Sequence, residues 1–575
     1  MSWEKIYHNW ANYQNLDKDM KSNLHEIEKD PETLKDAFYM PLEFGTAGMR
    51  GLLGAGINRM NIYTVRQATE GLANFIDEQG EETRQRGVAI AYDSRHMSPD
   101  FAMEAARVLA IHDIPSYVFE SLRPTPELSF AVRYLKTFAG IMITASHNPA
   151  EYNGYKIYGQ DGGQMPPEDA DRLTRYVRKV ENPLVVPVLS KEEAKNSGLI
   201  HIIGEDVDVP YLKEVKTVTI NQELVHEVGK DLKLVYTPLH GTGRMLGERA
   251  LKQAGFEQFV IEPTQGKPDP DFSTVKNPNP EYPEAFTLAI KLGKKEGADL
   301  LIATDPDGDR MGAAVRKPDG DYRLLTGNQI ASLMVHYILA AHQELGTMPD
   351  NGVIIKSIVS SEMPAKIAAS FNIPTVNTLT GFKFIAEKIH QYEVDHSHTF
   401  LFGFEESYGF LIKPFVRDKD AIQALVMLAE VACFYKKQGK TLYDGLEELF
   451  QKYGYYQEKT TAITMSGIEG LDKIKSLMQQ FRAEAPTAFG KIKVRAVEDF
   501  SSGLKTTLAD GKSEKMDYPA SNVLKYLLED GSWVAIRPSG TEPKIKFYVG
   551  TQGETEQAAL EKVKGFEEAI QDLLK

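Results

Sequence analysis

Asp305, Asp307 and Asp309 alternate in TDPDGDR, residues 304–310. Carboxylates this close repel one another unless a cation joins them, and an all-oxygen donor set suits a hard divalent ion. The D-x-D-x-D start resembles an EF-hand calcium loop. Its sixth position is Arg310 rather than Gly and its twelfth is Arg316 rather than Glu, so that reading fails. If the chain runs on extended from LLIAT, alternation puts the three carboxylates on one side. The ordinary alternative is a solvated acidic turn. It is disfavoured because the apolar run LLIAT buries the base of the loop, and Gly308 allows tight backbone geometry. Three aspartates leave coordination open for a phosphate oxygen.

Ser146 closes a second apolar run, IMITASHNP, residues 141–149. A serine at a strand end is commonly a turn residue or a helix cap. A hydrolytic serine is disfavoured: the chain has no G-x-S-x-G elbow here, and His147, the next residue, points poorly for activating its neighbour. A serine without an evident base can still carry phosphate, provided that a metal and cationic side chains neutralise the charge.

Cations and hydroxyls recur in other polar loops. RPSGTEPK puts Arg537 ahead of Ser539, Gly540 and Thr541, a pattern able to form an anion nest. Arg50 in FGTAGMRG, Arg95 in YDSRHMS and Lys156 in YNGYKIY also lie in Gly- or Ser-rich segments. A surface lysine or arginine is solvated far more often than functional, so each alone carries little weight. GFEESYGF offers Glu405 and Ser407, and TGFK offers Thr380, Gly381 and Lys383, groups suited to sugar hydroxyls. GKS at 511–513 lacks the upstream glycine of a Walker A loop, and HGTGRMLG lacks G-x-G-x-x-G spacing.

These loops need rigid elements behind them. GVAIAY, GIMITA, LKLVYT, LLIAT, VIIKSIV and TFLFGF each end abruptly in a polar loop and read as strands buried on both faces. Helical patterns intervene; in NQIASLMVHYIL, Ile330, Leu333, Met334, Tyr337 and Ile338 fall on one face. Alternating strands and helices mean α/β units, whose ligands sit at the carboxyl ends of strands. From about residue 455, TTAITMSG, LDKIKSLMQQF, VRAVEDF, SWVAIRPSG and KIKFYVG predict a smaller antiparallel α+β unit.

A chain of 575 residues exceeds one hydrophobic core. Its net charge of −15 argues against nucleic acid and against a polybasic membrane face. The single cysteine, Cys433, excludes an internal disulfide; it lies in AIQALVMLAEVACFY, which reads as a buried helix. MSWEKIYHNWANY has no apolar core of an export signal, so a cytoplasmic protein is expected.

Taken in order, TASHNP, DPDGDR, GFEES and RPSGTEPK resemble the phosphoserine, magnesium, sugar-binding and phosphate-binding loops of the α-D-phosphohexomutase superfamily. The likeness runs from about Phe44 to Phe547. FGTAGMRG, YDSRHMS, TPLHGTG and PDPDFSTVKNPNPE resemble its long phosphoglucomutase branch, which also contains phosphopentomutases. The resemblance implies three related α/β domains with mixed sheets and a smaller C-terminal α+β domain around one central cleft. The corresponding spans are 1–205 for the phosphoserine, 206–322 for the metal, 323–455 for the sugar and 456–575 for the distal phosphate. It implies that Ser146 carries phosphate and, with Asp305, Asp307 and Asp309, binds Mg²⁺. His147, Lys156, Arg50 and Arg310 would be catalytic, with Lys156 the better acid/base candidate. Thr380, Gly381, Lys383, Glu405, Ser407, Lys419, Arg537, Ser539, Gly540 and Thr541 would bind substrate. The resemblance gives His240 in TPLHGTG no role. The implied reaction interconverts glucose 1-phosphate and glucose 6-phosphate through glucose 1,6-bisphosphate. Pentose or mannose phosphates, a phosphatase and a phosphosugar-binding protein are the rivals. Nothing in the residues fixes the oligomeric state.

Overall fold

The computed structural model describes residues 2–44, 48–165, 167–465, 468–539 and 544–574. The chain divides into two compact units. The first comprises residues 1–326, 386–393 and 407–441; the second comprises 327–385, 394–406 and 442–575.

Two sheets of the first unit share one plan. The first contains β1 (Met49–Leu52), β2 (Val88–Tyr92), β3 (Ser116–Phe119), β4 (Ala139–Ile143), β5 (Tyr152–Tyr158) and β6 (Ile200–Ile203), in the order β1-β5-β4-β2-β3-β6. Strands β4, β2, β3 and β6 run parallel, and β5 returns antiparallel to β4. The second contains β7 (Leu234–Thr237), β8 (Phe259–Ile261), β9 (Leu300–Thr304), β10 (Met311–Arg316) and β11 (Tyr322–Leu324), in the order β11-β10-β9-β7-β8. Here β8, β7 and β9 are parallel, and β10 returns antiparallel to β9. Ser146 thus lies in the β4–β5 connection, and the aspartates lie in the β9–β10 connection.

Strands β2, β4, β7 and β9 are buried throughout, as expected of continuous apolar runs under helices on both faces. The helix Ile62–Glu78 covers one face of the first sheet. It starts at a reciprocal capping box between Asn61 and Thr64, and Val65, Ala68, Leu72 and Ile76 recur at helical spacing on its buried side. Burying each larger side chain is worth roughly 1.5–3 kcal/mol; losing the Asn61 cap would cost about 1 kcal/mol. Three N-terminal helices, Trp3–Ala11, Lys18–Ile27 and Pro31–Tyr39, close around Trp10, Phe38 and Tyr63.

The second unit holds β12 (Gly352–Ser357), β13 (Thr375–Thr378) and β14 (Thr399–Glu405), with β12 parallel to both. The expected strand VIIKSIV stops at Ser357, where the chain turns. The helix Gly327–Glu344 carries the pattern seen in NQIASLMVHYIL. A short strand β15 (Gly409–Leu411) and the helix Ala421–Lys437 return to the first unit. That helix is buried nearly all round, Cys433 included, which accounts for its lack of a polar face.

The C-terminal part is antiparallel, as its sequence predicts. Its strands are β16 (Tyr455–Thr464), β17 (Ala488–Phe489), β18 (Ile492–Asp499), β19 (Leu504–Thr507), β20 (Ser513–Lys515), β21 (Leu524–Leu528), β22 (Trp533–Pro538) and β23 (Lys544–Gly553). Their order is β16-β23-β22-β21-β18-β19-β20, with β17 beside β18. The helices Ile468–Ala483 and Glu556–Leu573 supply Met478, Phe481, Val563 and Phe566 to a core over Tyr526, Ile536 and Phe547. Among the described residues, no helix is long and apolar enough to cross a membrane.

Candidate active site

The aspartates converge, but not through strand alternation. Strand β9 stops at Thr304, and Asp305 to Asp309 form a tight turn. The Gly308 amide donates to the Asp305 carbonyl (3.0 Å), and the Asp305 amide donates to the Arg310 carbonyl (3.2 Å). The antiparallel pairing of Met311 with Thr304 forces this reversal, so the extended reading of the triplet is corrected. One oxygen from each of Asp305, Asp307 and Asp309 still lies within 4.8 Å of the others, and all three residues are buried.

The donor chemistry fits a hard cation. Asp307 Oδ1 and Asp309 Oδ1 are buried and accept no hydrogen bond among the described residues, although Arg310 Nε lies 3.9 Å from Asp309 Oδ1; such carboxylate oxygens are costly unless a cation shares them. Their other oxygens are held: Lys156 Nζ lies 2.8 Å from Asp307 Oδ2, and Lys419 Nζ lies 3.2 Å from Asp309 Oδ2. Asp305 Oδ1 accepts the amides of Asp309 (3.1 Å) and Arg310 (3.0 Å). Burial and the neighbouring charges of Asp307 and Asp309 push the Asp305 carboxyl well up. Burial also works to raise Asp307. The Lys156 ion pair, with hydrogen bonds from Lys156 and Thr125, outweighs it and holds that carboxyl far below the usual carboxylate range.

Ser146 is buried, and its Oγ donates to Asp305 Oδ2 at 3.0 Å. Its φ is +53°, an uncommon conformation for a residue with a side chain. The bend is held from beneath: the Ser146 amide donates to Thr144 Oγ1 (2.8 Å), which donates to Asp93 Oδ2 (2.6 Å). His147 Nδ1 sits 3.2 Å from Ser146 Oγ. The expectation that adjacency would aim the imidazole away is therefore corrected; the left-handed turn at Ser146 brings it back. Burial, then the charges of Arg310 and Arg50, pull His147 well below the ordinary histidine value and favour neutral imidazole.

In the sequence Arg95 is only one basic candidate among several. In the fold it is buried and clasps the serine loop. Its guanidinium donates to the carbonyls of Ser146 (2.6 Å), Pro149 (2.7 Å), Tyr152 (3.0 Å) and Asn148, and it pairs with Asp93 at 3.2 Å. Phe272, from PDPDFSTV, lies under the guanidinium at 4.9 Å. Nothing in YDSRHMS alone signals the clasp, because each of those carbonyls is more than fifty positions away.

The other expected cations fall as follows. Arg50, exposed on β1, donates to Asn148 Oδ1 at 2.9 Å. Arg310 pairs with Glu281 of NPNPE at 2.8 Å. Lys419, expected to meet substrate, also pairs with Asp418 at 2.9 Å, and Asp418 accepts from Tyr158 at 2.8 Å. His240 acquires a structural role: Nδ1 meets the Lys267 carbonyl (2.9 Å) and Nε2 meets Thr274 Oγ1 (2.8 Å). It braces 267–274, while Gly241 lies so close to Pro306 that a Cβ would sit 2.3 Å from its Cα.

In the second unit, Glu405 is buried at the end of β14, and its Oε1 accepts the Gly381 amide at 2.7 Å. That bond fixes Thr380 and Gly381 beside β14. Lys383 extends its ammonium over Phe384 at 5.0 Å. The adjacent Glu406, absent from the residues expected at the site, accepts from Ser357 Oγ at 2.9 Å. Arg537 is the penultimate residue of β22, and the Ser539 amide donates to the Lys544 carbonyl at 2.7 Å. Burial and the charge of Glu406 push Tyr548 up to about 12, against a hydrogen bond from Arg537. Gly540 and Thr541 lie outside the described residues. Ser407, in the turn before β15, belongs to the first unit.

Family models described as phosphoglucomutase/phosphomannomutase alpha/beta/alpha domains I, II and III match residues 41–183, 209–320 and 326–453. The C-terminal domain model of that family matches residues 484–567. A phosphoglucomutase of Staphylococcus aureus (strain MRSA252) is 41% identical over 529 residues, covering 92% of each chain. One from Staphylococcus epidermidis is 40% identical over 542 residues, covering 94% of this chain and 96% of its own. Among solved structures, Paramecium parafusin superposes with a TM-score of 0.68 at 17% identity, covering 93% of this chain and 96% of its own. A Thermus thermophilus protein described as a putative phosphomannomutase gives 0.67 at 22% identity, covering 92% and 99%. With four matched domains in order and relatives near two-fifths identity across almost the whole length, the chain belongs to the phosphoglucomutase/phosphomannomutase family.

Proposed function

We propose that this chain is a phosphoglucomutase, interconverting α-D-glucose 1-phosphate and D-glucose 6-phosphate through a phosphorylated Ser146 and glucose 1,6-bisphosphate. The observation that carries the reading is a buried serine hydroxyl 3.0 Å from an aspartate of a convergent buried triad in which Asp307 Oδ1 accepts no hydrogen bond among the described residues. The relatives named phosphoglucomutase support the choice of sugar. Asp305, Asp307, Asp309 and a phosphoserine oxygen would hold Mg²⁺, which when bound neutralises charge on the transferring phosphoryl group.

The chain's own groups do the rest. Phosphoryl transfer demands positioning and charge stabilisation more than covalent chemistry. The +53° turn and the Arg95 clasp fix Ser146 Oγ as phosphoryl donor and acceptor. Lys156, adjoining Asp307, is the acid/base candidate that moves the proton of the sugar hydroxyl. Neutral His147, with Nδ1 3.2 Å from Ser146 Oγ, would donate its Nδ1–H to that oxygen, whose own proton is directed to Asp305 Oδ2. Arg50 and Arg310 offer charge near the serine loop and the aspartate turn. Glu405 and Ser407 would read sugar hydroxyls, and Thr380, Gly381, Lys383 and Lys419 would also contribute to substrate binding. Arg537, Ser539, Gly540 and Thr541 would grip the phosphate that is not being transferred. The spans 1–205, 206–322, 323–455 and 456–575 would carry phosphoserine, metal, sugar and distal phosphate.

A coupled assay tests this directly. Glucose 1-phosphate with Mg²⁺ and a trace of glucose 1,6-bisphosphate should give glucose 6-phosphate without free phosphate, and dialysis against EDTA should abolish turnover. Stoichiometric release of phosphate would mark a phosphatase. Faster turnover of ribose 1-phosphate or mannose 1-phosphate would transfer the assignment to another sugar.

A further inference from the structure

The RPTPE segment, residues 123–127, precedes and opens the helix Thr125–Leu135, and it belongs to none of the motifs singled out above. Thr125 is wholly buried at the first position of that helix. Its Oγ1 donates to Asp307 Oδ2 at 2.9 Å, and its amide donates to the Asp307 carbonyl at 2.8 Å. Helix packing therefore fixes Asp307 by both side chain and main chain, from a segment more than 180 positions away.

The next residue of the turn is seated on the same segment. Gly308 has φ +67°, and a Cβ there would lie 2.7 Å from Pro124 Cβ. Pro124 and Thr125 thus form a wall against which Asp307 and Gly308 rest. The wall decides which oxygen faces where. Oδ2 is bonded by Thr125 and by Lys156, whereas Oδ1 is buried and accepts no hydrogen bond among the described residues. Lys156 is long and has several rotatable bonds, so alone it defines a charge but not an orientation. A hydroxyl on a β-branched residue at a helix start has little freedom.

We propose that Thr125 is a positioning residue for the metal, holding Asp307 Oδ2 so that Oδ1 is presented to the cation. The inference rests on the reading of Asp305, Asp307 and Asp309 as the Mg²⁺ site. Outer partners that orient a ligating carboxylate contribute about 10- to 100-fold to metal affinity. Thr125→Val keeps the shape and removes the donor; Thr125→Ser keeps the donor and removes a methyl group.

The test is titration of the full chain with Mn²⁺ alone, followed by the loss of the free-ion EPR signal, for wild type, Thr125→Val, Thr125→Ser and Asp307→Asn. The expected result is Mn²⁺ binding weakened about 10- to 100-fold in Thr125→Val and by no more than about 3-fold in Thr125→Ser. Half-saturation of turnover by Mg²⁺ should move in parallel, with kcat largely restored at saturation. Unchanged binding in Thr125→Val, or equal weakening in Thr125→Ser, overturns the proposal while leaving the metal site standing. If Asp307→Asn binds Mn²⁺ as wild type does, the metal reading fails and the proposal falls with it. Should Thr125→Val not fold, Thr125→Ala against Thr125→Ser makes the same comparison.

Discussion

Ser146 and the aspartates of the first unit are at most 4% exposed, whereas Thr380, Gly381, Lys383, Arg537 and Ser539 of the second are all partly exposed. The first set is tied down before any ligand arrives. Thr144, Asp93, Arg95, Thr125, Lys156 and Lys419 all bond to it or beneath it. In the second set, Glu405 is spent on the Gly381 amide, and the loop cations lie near the surface. The difference follows from the tasks proposed for each. Charge that develops during phosphoryl transfer is best met by dipoles and ions already in place. A phosphate and sugar hydroxyls that come and go are best met by groups whose desolvation happens on binding.

Substitutions in the two regions should therefore fail differently. Ser146→Ala removes the proposed phosphate carrier, and turnover of glucose 1-phosphate should fall by at least about 10³-fold with little change in thermal melting. Activity above a tenth of wild type would break the assignment. Arg95→Met should act through stability. It leaves Asp93 without its ion-pair partner and four carbonyls without a donor, a loss of about 3–5 kcal/mol. Hydrogen exchange across 144–158 should accelerate accordingly, and unchanged protection would show that the serine loop does not depend on the clasp.

In the second unit, Arg537→Ala should raise KM for glucose 1-phosphate about tenfold or more, since a charge-assisted contact is worth about 1.5–3 kcal/mol. Melting should hardly move. A fall in kcat with KM unchanged would erase the contrast between the regions.

Charge networks outside the site set the smallest expectation. His112 lies between Asp77 (2.7 Å) and Glu70 (3.0 Å), and its pKa is raised from 6.5 chiefly by the hydrogen bond to Glu70. A raised histidine contributes stability in full below the unfolded value of 6.5 and loses it as pH climbs through the folded value. His112→Gln should accordingly lose about 0.5–1 kcal/mol more at pH 6 than at pH 9 in paired thermal melts. The opposite sign would show that the ring is neutral in the folded chain.

Much of this was legible from the residues. Continuous apolar runs identified β2, β4, β7, β9 and most of β12 and β14, because strands covered on both faces leave no polar alternation. The same runs located the polar loops that carry Ser146, Asp305 and Glu405. The Asp triplet announced its chemistry through repulsion alone. The geometry was less legible. The triplet looked extended, but hairpin pairing of β9 with β10 folds it into a turn. His147 looked misdirected, but a left-handed residue turns it back. Arg95, Thr125 and Thr144 were invisible as supports, since they bond to groups remote in sequence and their residue types are commonplace. For the same reason, nothing local indicated that 407–441 joins the first unit while 394–406 joins the second.

The central claim is that Ser146 carries the phosphoryl group during turnover. Glucose 1,6-bisphosphate labelled with ³²P in both phosphates, mixed with the Mg²⁺-loaded full chain, should leave label on a single peptide containing Ser146. Chasing with unlabelled glucose 1-phosphate should move that label into sugar phosphate at least as fast as kcat, with none appearing as free phosphate. Label on another residue, or label on Ser146 that discharges more slowly than turnover, would contradict the account.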